Sequence, residues 1–503
     1  MANRAAHLFA SAERHPGKTA IWFEGEAITF GALADRVRSA AANLATQGIA
    51  KGAHVALMMP SCPDFIVVQQ ALFALGAVVS PLNIQYQPGE VAHAIASCDL
   101  EYLVLPRLFA NRVPDGFPGA IFREGNDPPC PENFDLTEVN PADVAMLLHT
   151  SATTGKSKGV MLTAANLAAN YDRSPGWLGL SGDDTILCAL PLYNTFGLNQ
   201  CINAMALTGL TLVLHARFDA GACIADIARY GCTYMPGVPT MLQKMVDHPG
   251  LRPGQLSSLK RIMTGGAPVP APLLARLLQA TDGNAQVLTG YGLTEASALV
   301  TLAQVELGED GEVLRGRTIG RALDGIELEV HDENGNQLGL GEVGEFVIRG
   351  PNVMAGYYNA PEANAEVFGG DWLRSGDLGT IDADGFAFIV DRKKDVIIRG
   401  GQNIYPADIE EALYQLADVT EAAVIGAPDA MFGEVPVAFV ATAQDASLTH
   451  DEILSHCQLH LAKFKLPSRI IILPELPKGP TGKILRRALR GQLERDAGMP
   501  LTP

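Results

Sequence analysis

The chain has 503 residues, too many for one ordinary core, and it is 48% hydrophobic and 18% charged, which excludes disorder as the main state and predicts two or three packed domains. Its formal net charge of -18 excludes a nucleic-acid binder held by a basic surface. No stretch approaches the roughly 20 apolar residues that span a bilayer; the best, Ala71 to Leu82, is interrupted by Gly76 and Pro81.

The first residues, Met1 to Gly17, have no continuous apolar core ahead of a small-residue cleavage site, so no signal peptide is expected. The end, Pro500 to Pro503, shows no lipidation or peroxisomal address. The 8 cysteines are scattered and form no CxxC pair. They read as free thiols of a cytoplasmic protein rather than as disulfides or a zinc site.

In chain order, apolar β-branched runs alternate with helical patterns, which predicts an α/β fold. Strands are expected at 144–149, 211–215, 261–264 and 285–289. Around 326–332 and 345–349 the text changes to short strands with turns such as Glu333-Asn334-Gly335-Asn336, which predicts a small antiparallel, β-barrel-like subdomain. A boundary is expected at Asp391, dividing a large N-terminal domain of layered α/β subdomains, 1–390, from a small α+β C-terminal domain, 391–503. In the latter, 405–416 places Ile409, Ala412, Leu413 and Leu416 on one helical face. Strands follow at 422–426 and 436–442, then a helix at 451–461 and a strand at 469–473. Within 463–490, eight basic residues stand against Glu475 alone, either a solvated face or a surface for a polyphosphate ligand.

The most informative stretch follows the first of these strands: Thr150-Ser151-Ala152-Thr153-Thr154-Gly155-Lys156-Ser157-Lys158-Gly159. Small hydroxyl side chains and backbone N–H groups donate hydrogen bonds, glycine permits close approach, and lysine adds charge, which together suit a loop that wraps phosphates. The Walker A spacing is not met. Five further motifs follow in order: Gly265-Gly266-Ala267-Pro268, Tyr291-Gly292-Leu293-Thr294-Glu295, Ser375-Gly376-Asp377, Asp391-Arg392-Lys393-Lys394-Asp395 and Pro480-Thr481-Gly482-Lys483.

Over nearly its whole length the chain therefore resembles the adenylate-forming superfamily, which holds acyl-CoA synthetases, peptide-synthetase adenylation domains and luciferases. The resemblance implies Mg²⁺- and ATP-dependent ligation: a carboxylate attacks the α-phosphorus of ATP, pyrophosphate leaves, and a thiol, commonly that of coenzyme A, displaces AMP from the acyl-adenylate. Such an enzyme mainly aligns reactants and neutralises developing charge.

The resemblance also assigns roles. Lys483 is the catalytic lysine of the first step, its ammonium a movable point charge for the carboxylate and α-phosphate. Thr294 bonds a phosphate oxygen and Glu295 holds Mg²⁺. Besides Thr150 to Lys156 and Lys158, the nucleotide is met by backbone at Gly266, Ala267 and Pro268, by Tyr291 and Gly292 beside the adenine, by Asp377 at the ribose hydroxyls, and by Arg392 near the ribose or α-phosphate. Lys394 is the hinge about which a mobile small domain turns after adenylation. Gly400 and Gly401 line a pantetheine channel, with Lys465, and more weakly Lys463, at the coenzyme A phosphates. Singly, each has a bland alternative: a helix cap for Thr294-Glu295, a turn for Ser375–Asp377, a salt bridge for Arg392, a solvated side chain for Lys483. Six motifs in order make these alternatives minor.

Two departures stand out. Ala152 occupies a place where the family nearly always has glycine, and alanine at positive φ costs about 1 kcal/mol or more. Asn194, in Pro191-Leu192-Tyr193-Asn194-Thr195-Phe196-Gly197, replaces the usual His or other aromatic, and it donates and accepts hydrogen bonds without changing charge near neutral pH. The acyl pocket is expected around Tyr193, Asn194, Gly237, Val238, Gly290 and Ala296, with Pro236 and Ser297 beside them. None is charged, which points to a small or medium neutral acyl or aryl acid. Other readings on the same scaffold are loading of a carrier-protein phosphopantetheine, or use of an amine or nitrite. A non-catalytic nucleotide-binding regulator is disfavoured by Lys483, Glu295 and Asp377 together. The oligomeric state is open.

Overall fold

The computed structural model describes residues 2–496 except 124, 126, 132, 150–156, 268, 417, 444–447 and 480–483. The protein is mixed α/β and divides into two compact units, Met1–Arg315 with Gly320–Leu328 and Ile348–Leu373, and Gly316–Ile319 with Glu329–Val347 and Arg374–Pro503. Asp391 lies inside the second unit, near the end of the strand Ala387–Arg392.

The first unit is built on two sheets. In one, Val78–Pro81, His54–Leu57, Tyr102–Pro106 and Ala120–Arg123 run parallel, and Val144–His149 joins them beside Val78–Pro81. The helix Pro63–Ala74 connects two of these strands and is buried almost all round, as its unbroken apolar text requires. The preceding helix, Phe30–Thr46, starts where Thr29 accepts a hydrogen bond from the Ala32 amide at 3.2 Å. In the other sheet, Gln286–Leu293, Arg261–Gly265, Tyr234–Gly237, Thr185–Cys188, Thr211–Leu214 and Thr19–Phe23 are successive parallel neighbours. Strands expected at 144–149, 211–215, 261–264 and 285–289 are present within one or two residues, except that the last runs on to Leu293.

In the second unit, Val419–Asp429 and Gly433–Thr442 form a long antiparallel pair, and Arg469–Leu473 adds in parallel to the latter. Alternation along these strands separates two cores. Ala422, Val424, Ala438 and Val440 face the helices Pro406–Tyr414 and His450–His460 through Ile409, Leu413, Ile453 and Cys457. Ala423, Ile425, Val437, Phe439 and Ala441 face Leu489 and Leu493 of the helix Arg486–Asp496. The strands Glu327–His331, Gly344–Arg349, Trp372–Ile381 and Ala387–Arg392 lie side by side in that order, in the region where short strands were anticipated from the Asn-Gly turns; Trp372–Ile381 is longer than that reading implied.

Candidate active site

The parallel strands Tyr234–Gly237, Arg261–Gly265 and Gln286–Leu293 are in register, Gly237 opposite Thr264 and Gly265 opposite Gly290. Their carboxyl ends therefore bring Gly237-Val238, Gly266-Ala267 and the Tyr291–Glu295 motif to one edge, where ligands of open α/β sheets bind. Gly266 has φ +77°, a left-handed turn that suits glycine, and Ala267 is half-buried; Pro268 lies outside the described residues. A Cβ on Gly290 would come within 2.5 Å of Met263 Cε and 2.9 Å of Leu299 Cδ1, so strand packing alone accounts for that glycine. Gly292 likewise has no room for a side chain against the Ala298 carbonyl.

After Leu293 the chain turns through Thr294–Ala296, and Ser297 at φ +64° sends it back as the antiparallel strand Ala298–Gln304. This turn is tied down from a distant segment. The Met354 amide donates to the Glu295 carbonyl at 2.8 Å, Asn352 Nδ2 to the Ala296 carbonyl at 3.0 Å, and Ser297 Oγ to the Asn352 carbonyl at 2.6 Å. Ala296 is fully buried, and Tyr291 is 8% exposed with its amide on Thr301 Oγ1 at 3.3 Å. The Glu295 carboxylate accepts from the Tyr357 hydroxyl at 2.8 Å through Oε1. Oε2 has no hydrogen-bond partner among the described residues. Burial, and then the adjacent carboxylate, hold the Tyr357 hydroxyl far above its ordinary value, so it stays a donor. Lys158 Nζ stands 5.0 Å from the centroid of the same ring.

Lys158 is delivered by the hairpin of Val144–His149 with Gly159–Thr163, in which His149 faces Gly159. The expected phosphate contacts of Thr150, Ser151, Ala152, Thr153, Thr154, Gly155 and Lys156 lie outside the described residues. Just before that segment, His149 Nε2 is 3.1 Å from Ser80 Oγ, while Nδ1 is buried without a hydrogen-bond partner among the described residues. Burial, then the neighbouring His93, pulls the imidazole down to about 4, so it is neutral near pH 7.

Asn194 opens the single turn Thr195–Gly197, which passes into the π-helical stretch Leu198–Asn203. Thr195 Oγ1 lies 3.2 Å from the Ser297 carbonyl and 2.8 Å from the Tyr171 hydroxyl, joining the Tyr193-Asn194 segment to the turn that carries Glu295. Tyr193 and Asn194 are half-buried, and burial, then Tyr86, pushes the Tyr193 hydroxyl up to about 12. Gly237 and Val238 are buried.

In the second unit, Asp377 faces Arg392 across the antiparallel pair, with Arg392 Nε 3.2 Å from Asp377 Oδ1. Arg392 is half-exposed and Asp377 is 6% exposed. Lys394, in the turn Lys393–Asp395, is held below the ordinary lysine value by partial desolvation and then by Arg392. Gly400 and Gly401, at φ +56° and +82°, form the two-residue connection between Ile397–Arg399 and Gln402–Ile404. A primed hairpin turn needs positive φ at both positions, so the backbone alone explains this pair. Lys465 Nζ is bound to Asp408 Oδ2 at 2.6 Å, and Lys483 lies outside the described residues.

Within the basic run 463–490, Lys465, Lys478, Arg486 and Arg490 pair with carboxylates of their own unit, so half of its eight charges are not bare solvated side chains. Sequence reasoning overlooked these partners, and overlooked Tyr357 as the companion of Glu295. The only local sign of the latter was a tyrosine pair after Gly356, too common to signal anything.

Residues 8–358 match the family model of the AMP-binding enzymes, and 408–483 match the AMP-binding enzyme C-terminal domain. A feruloyl-CoA synthase from Amycolatopsis sp is 36% identical over 489 residues, 95% of this chain and 96% of that protein. The ATP-bound crystal structure of MatB from Rhodopseudomonas palustris superposes with a TM-score of 0.89 at 29% identity, covering 99% of both chains. The o-succinylbenzoate coenzyme A synthetase MenE from Bacillus subtilis, in complex with ATP and magnesium ion, gives 0.85 at 30% identity over 96% of this chain and 99% of its own. Both family models lie in the order in which the six motifs run, and the chain belongs to the AMP-binding enzymes, the adenylate-forming family its sequence resembles.

Proposed function

We propose that the protein is an AMP-forming acid–thiol ligase that converts a neutral, small-to-medium acyl or aryl carboxylic acid to its coenzyme A thioester. In the first half-reaction a carboxylate oxygen bonds to the α-phosphorus of ATP and pyrophosphate leaves. In the second the thiol sulfur bonds to the acyl carbon, AMP leaves with the bonding pair, and the thiol proton is released.

The observation that carries this reading is the Glu295 constellation. It sits at the carboxyl edge of three parallel strands, one oxygen held by Tyr357 and the other without a hydrogen-bond partner among the described residues, with Lys158 over the Tyr357 ring. A Mg²⁺ bound mostly by phosphate and water needs only one or two protein carboxylates, and Glu295 Oε2 fits that need. When bound, the ion neutralises charge on the polyphosphate. Thr294, residues 150–156 and Lys158 bind phosphate oxygens, Tyr291 flanks the adenine, Asp377 takes the ribose hydroxyls, and Arg392 binds the ribose or the α-phosphate region. Lys483 supplies positive charge in the first half-reaction, and Lys394 is the pivot between the two. Gly400, Gly401 and Lys465 meet the thiol substrate, for which Lys465 gives up Asp408.

Tyr193, Asn194, Gly237, Val238, Gly290 and Ala296 define the acyl side. None carries a charge to neutralise a second carboxylate, and aryl acids head the list because a relative 36% identical is named a feruloyl-CoA synthase. Coenzyme A is favoured over a carrier protein because the relatives are named as CoA ligases.

Pyrophosphate exchange into ATP across a panel of carboxylates, followed by mass detection of thioester on adding coenzyme A, tests the reading. Exchange and thioester with neutral aryl or medium-chain acids support it. No exchange with any acid contradicts it, and exchange only with dicarboxylates overturns the assigned substrate class.

A further inference from the structure

The turn that carries Glu295 is held at two places by one short helix, Ala164–Asn170. The strands on either side of the turn pair with Gly292 opposite Leu299 and Leu293 opposite Ala298. Their register shifts between Tyr291 and Gly292, an irregularity of the kind that re-aims the end of a hairpin. Just there, Asn170 takes both backbone groups of Leu299: its Nδ2 donates to the carbonyl at 2.6 Å and its Oδ1 accepts from the amide at 3.4 Å. Asn199 Nδ2, from the π-helical stretch, donates to the same Oδ1 at 3.1 Å. Asn170 and Asn199 are both fully buried.

The second place is the strap of Asn352 and Met354 that ties the turn down. Asn166 stands four residues before Asn170, on the same face of the helix. Its Nδ2 donates to the Pro351 carbonyl at 2.9 Å and to the Val353 carbonyl at 2.8 Å. These carbonyls flank Asn352, which is fully buried and bonded to Ala296 and Ser297. Asn166 Oδ1 in turn accepts the Thr163 amide at 3.0 Å, and the Asn166 amide donates to Thr163 Oγ1 at 3.1 Å. The start of the helix thus fixes the side chain that fixes the strap. A buried amide is costly unless its donors and acceptor are met, and apolar side chains would fill such space without that cost. What the amides of Asn170 and Asn166 add is a defined position for the backbone on both sides of Glu295.

We propose that Asn166 and Asn170 are positioning residues for Mg²⁺-dependent adenylation: Asn170 fixes the base of the hairpin and Asn166 the strap across its tip, so that the Glu295 carboxylate is held where the cation binds. The inference rests on the role given above to Glu295. It assigns neither asparagine a contact with substrate.

A magnesium titration of pyrophosphate exchange in the full-length protein, beside thermal unfolding, tests this. Asn166→Asp keeps an acceptor for the Thr163 amide and puts a negative charge in the first helical turn, which suits the helix dipole, so the thermal midpoint should move by less than about 3 °C. It removes both donors to the strap, and the Mg²⁺ concentration for half-maximal exchange should rise at least about threefold, because small displacements of an aligned group are costly. Asn170→Ala leaves the Leu299 groups buried and unpaired, so it should lower the thermal midpoint as well as raise the Mg²⁺ requirement. Where it does not fold, Asn166→Asp decides. Thioester formation from supplied acyl-adenylate should change less than about twofold in folded protein. An unchanged Mg²⁺ requirement in folded Asn166→Asp, or equal loss of both half-reactions, overturns the proposal. Absence of exchange in the unsubstituted enzyme with every acid would instead overturn the ligase reading, and this inference with it.

Discussion

Tyr357 and Glu295 meet hydroxyl to carboxylate at 2.8 Å although 62 residues separate them. The bond orients the carboxylate just past the end of the strand Gln286–Leu293, and the function proposed above gives the second oxygen to Mg²⁺. Tyr357→Phe removes a hydrogen bond to a charged group, worth about 1.5–3 kcal/mol at most, so the Mg²⁺ concentration for half-maximal exchange should rise roughly tenfold. Glu295→Gln should lower exchange further, by about a hundredfold. A magnesium titration of exchange checks both; an unchanged requirement in Tyr357→Phe would remove tyrosine from the site.

His149 stores a pH dependence. The unfolded imidazole takes a proton near 6.5, whereas the folded one resists until about 4. Its contribution to stability is therefore present above pH 6.5 and is lost as pH falls towards 4, by up to about 3 kcal/mol. Urea unfolding of His149→Asn between pH 7 and 4.5 should show a flatter dependence than the unsubstituted protein. Parallel curves would show that the ring is not shielded.

Gly290 separates packing from the acyl pocket. Its missing Cβ direction points at Met263, Leu299 and the Thr301 carbonyl, so Gly290→Ala should cost about 1–3 kcal/mol by overpacking. Denaturant midpoints measure this. Unchanged stability would contradict the packing, and lost stability with an unaltered acid preference would take Gly290 out of the acyl pocket proposed above.

Much of the architecture was legible because local chemistry and fold agree. The run Arg469–Leu473 is a strand as read, since four consecutive branched aliphatics favour nothing else so well. Ile409, Ala412 and Leu413 are buried where helical spacing put them, while Leu416, past the helix end at Tyr414, is only half-buried. The place of Thr294 and Glu295 just past a strand was legible because the motif is contiguous and follows an apolar run. The Tyr357–Glu295 bond was not, because nothing local to either residue announces a partner on a different strand. The partner of Arg486 was hidden for the same reason: it pairs with Glu410 across 76 positions, so its charge reads as exposed until the fold is known.

Gly401 distinguishes a turn from a channel. At φ +82° an alanine is strained, so Gly401→Ala should cost about 1 kcal/mol of stability. If the hairpin also meets the thiol substrate, KM for coenzyme A should rise while pyrophosphate exchange is preserved. Lost stability with an unaltered KM would leave the glycine a purely structural role.

Lys483→Ala gives the most direct test of the ligase account, with each half-reaction assayed separately. Pyrophosphate exchange should fall by at least about a thousandfold, as expected when charge stabilisation is removed from a transition state. Thioester formation from supplied acyl-adenylate and coenzyme A should persist. Retained exchange, or equal loss of both half-reactions in folded protein, would contradict the account.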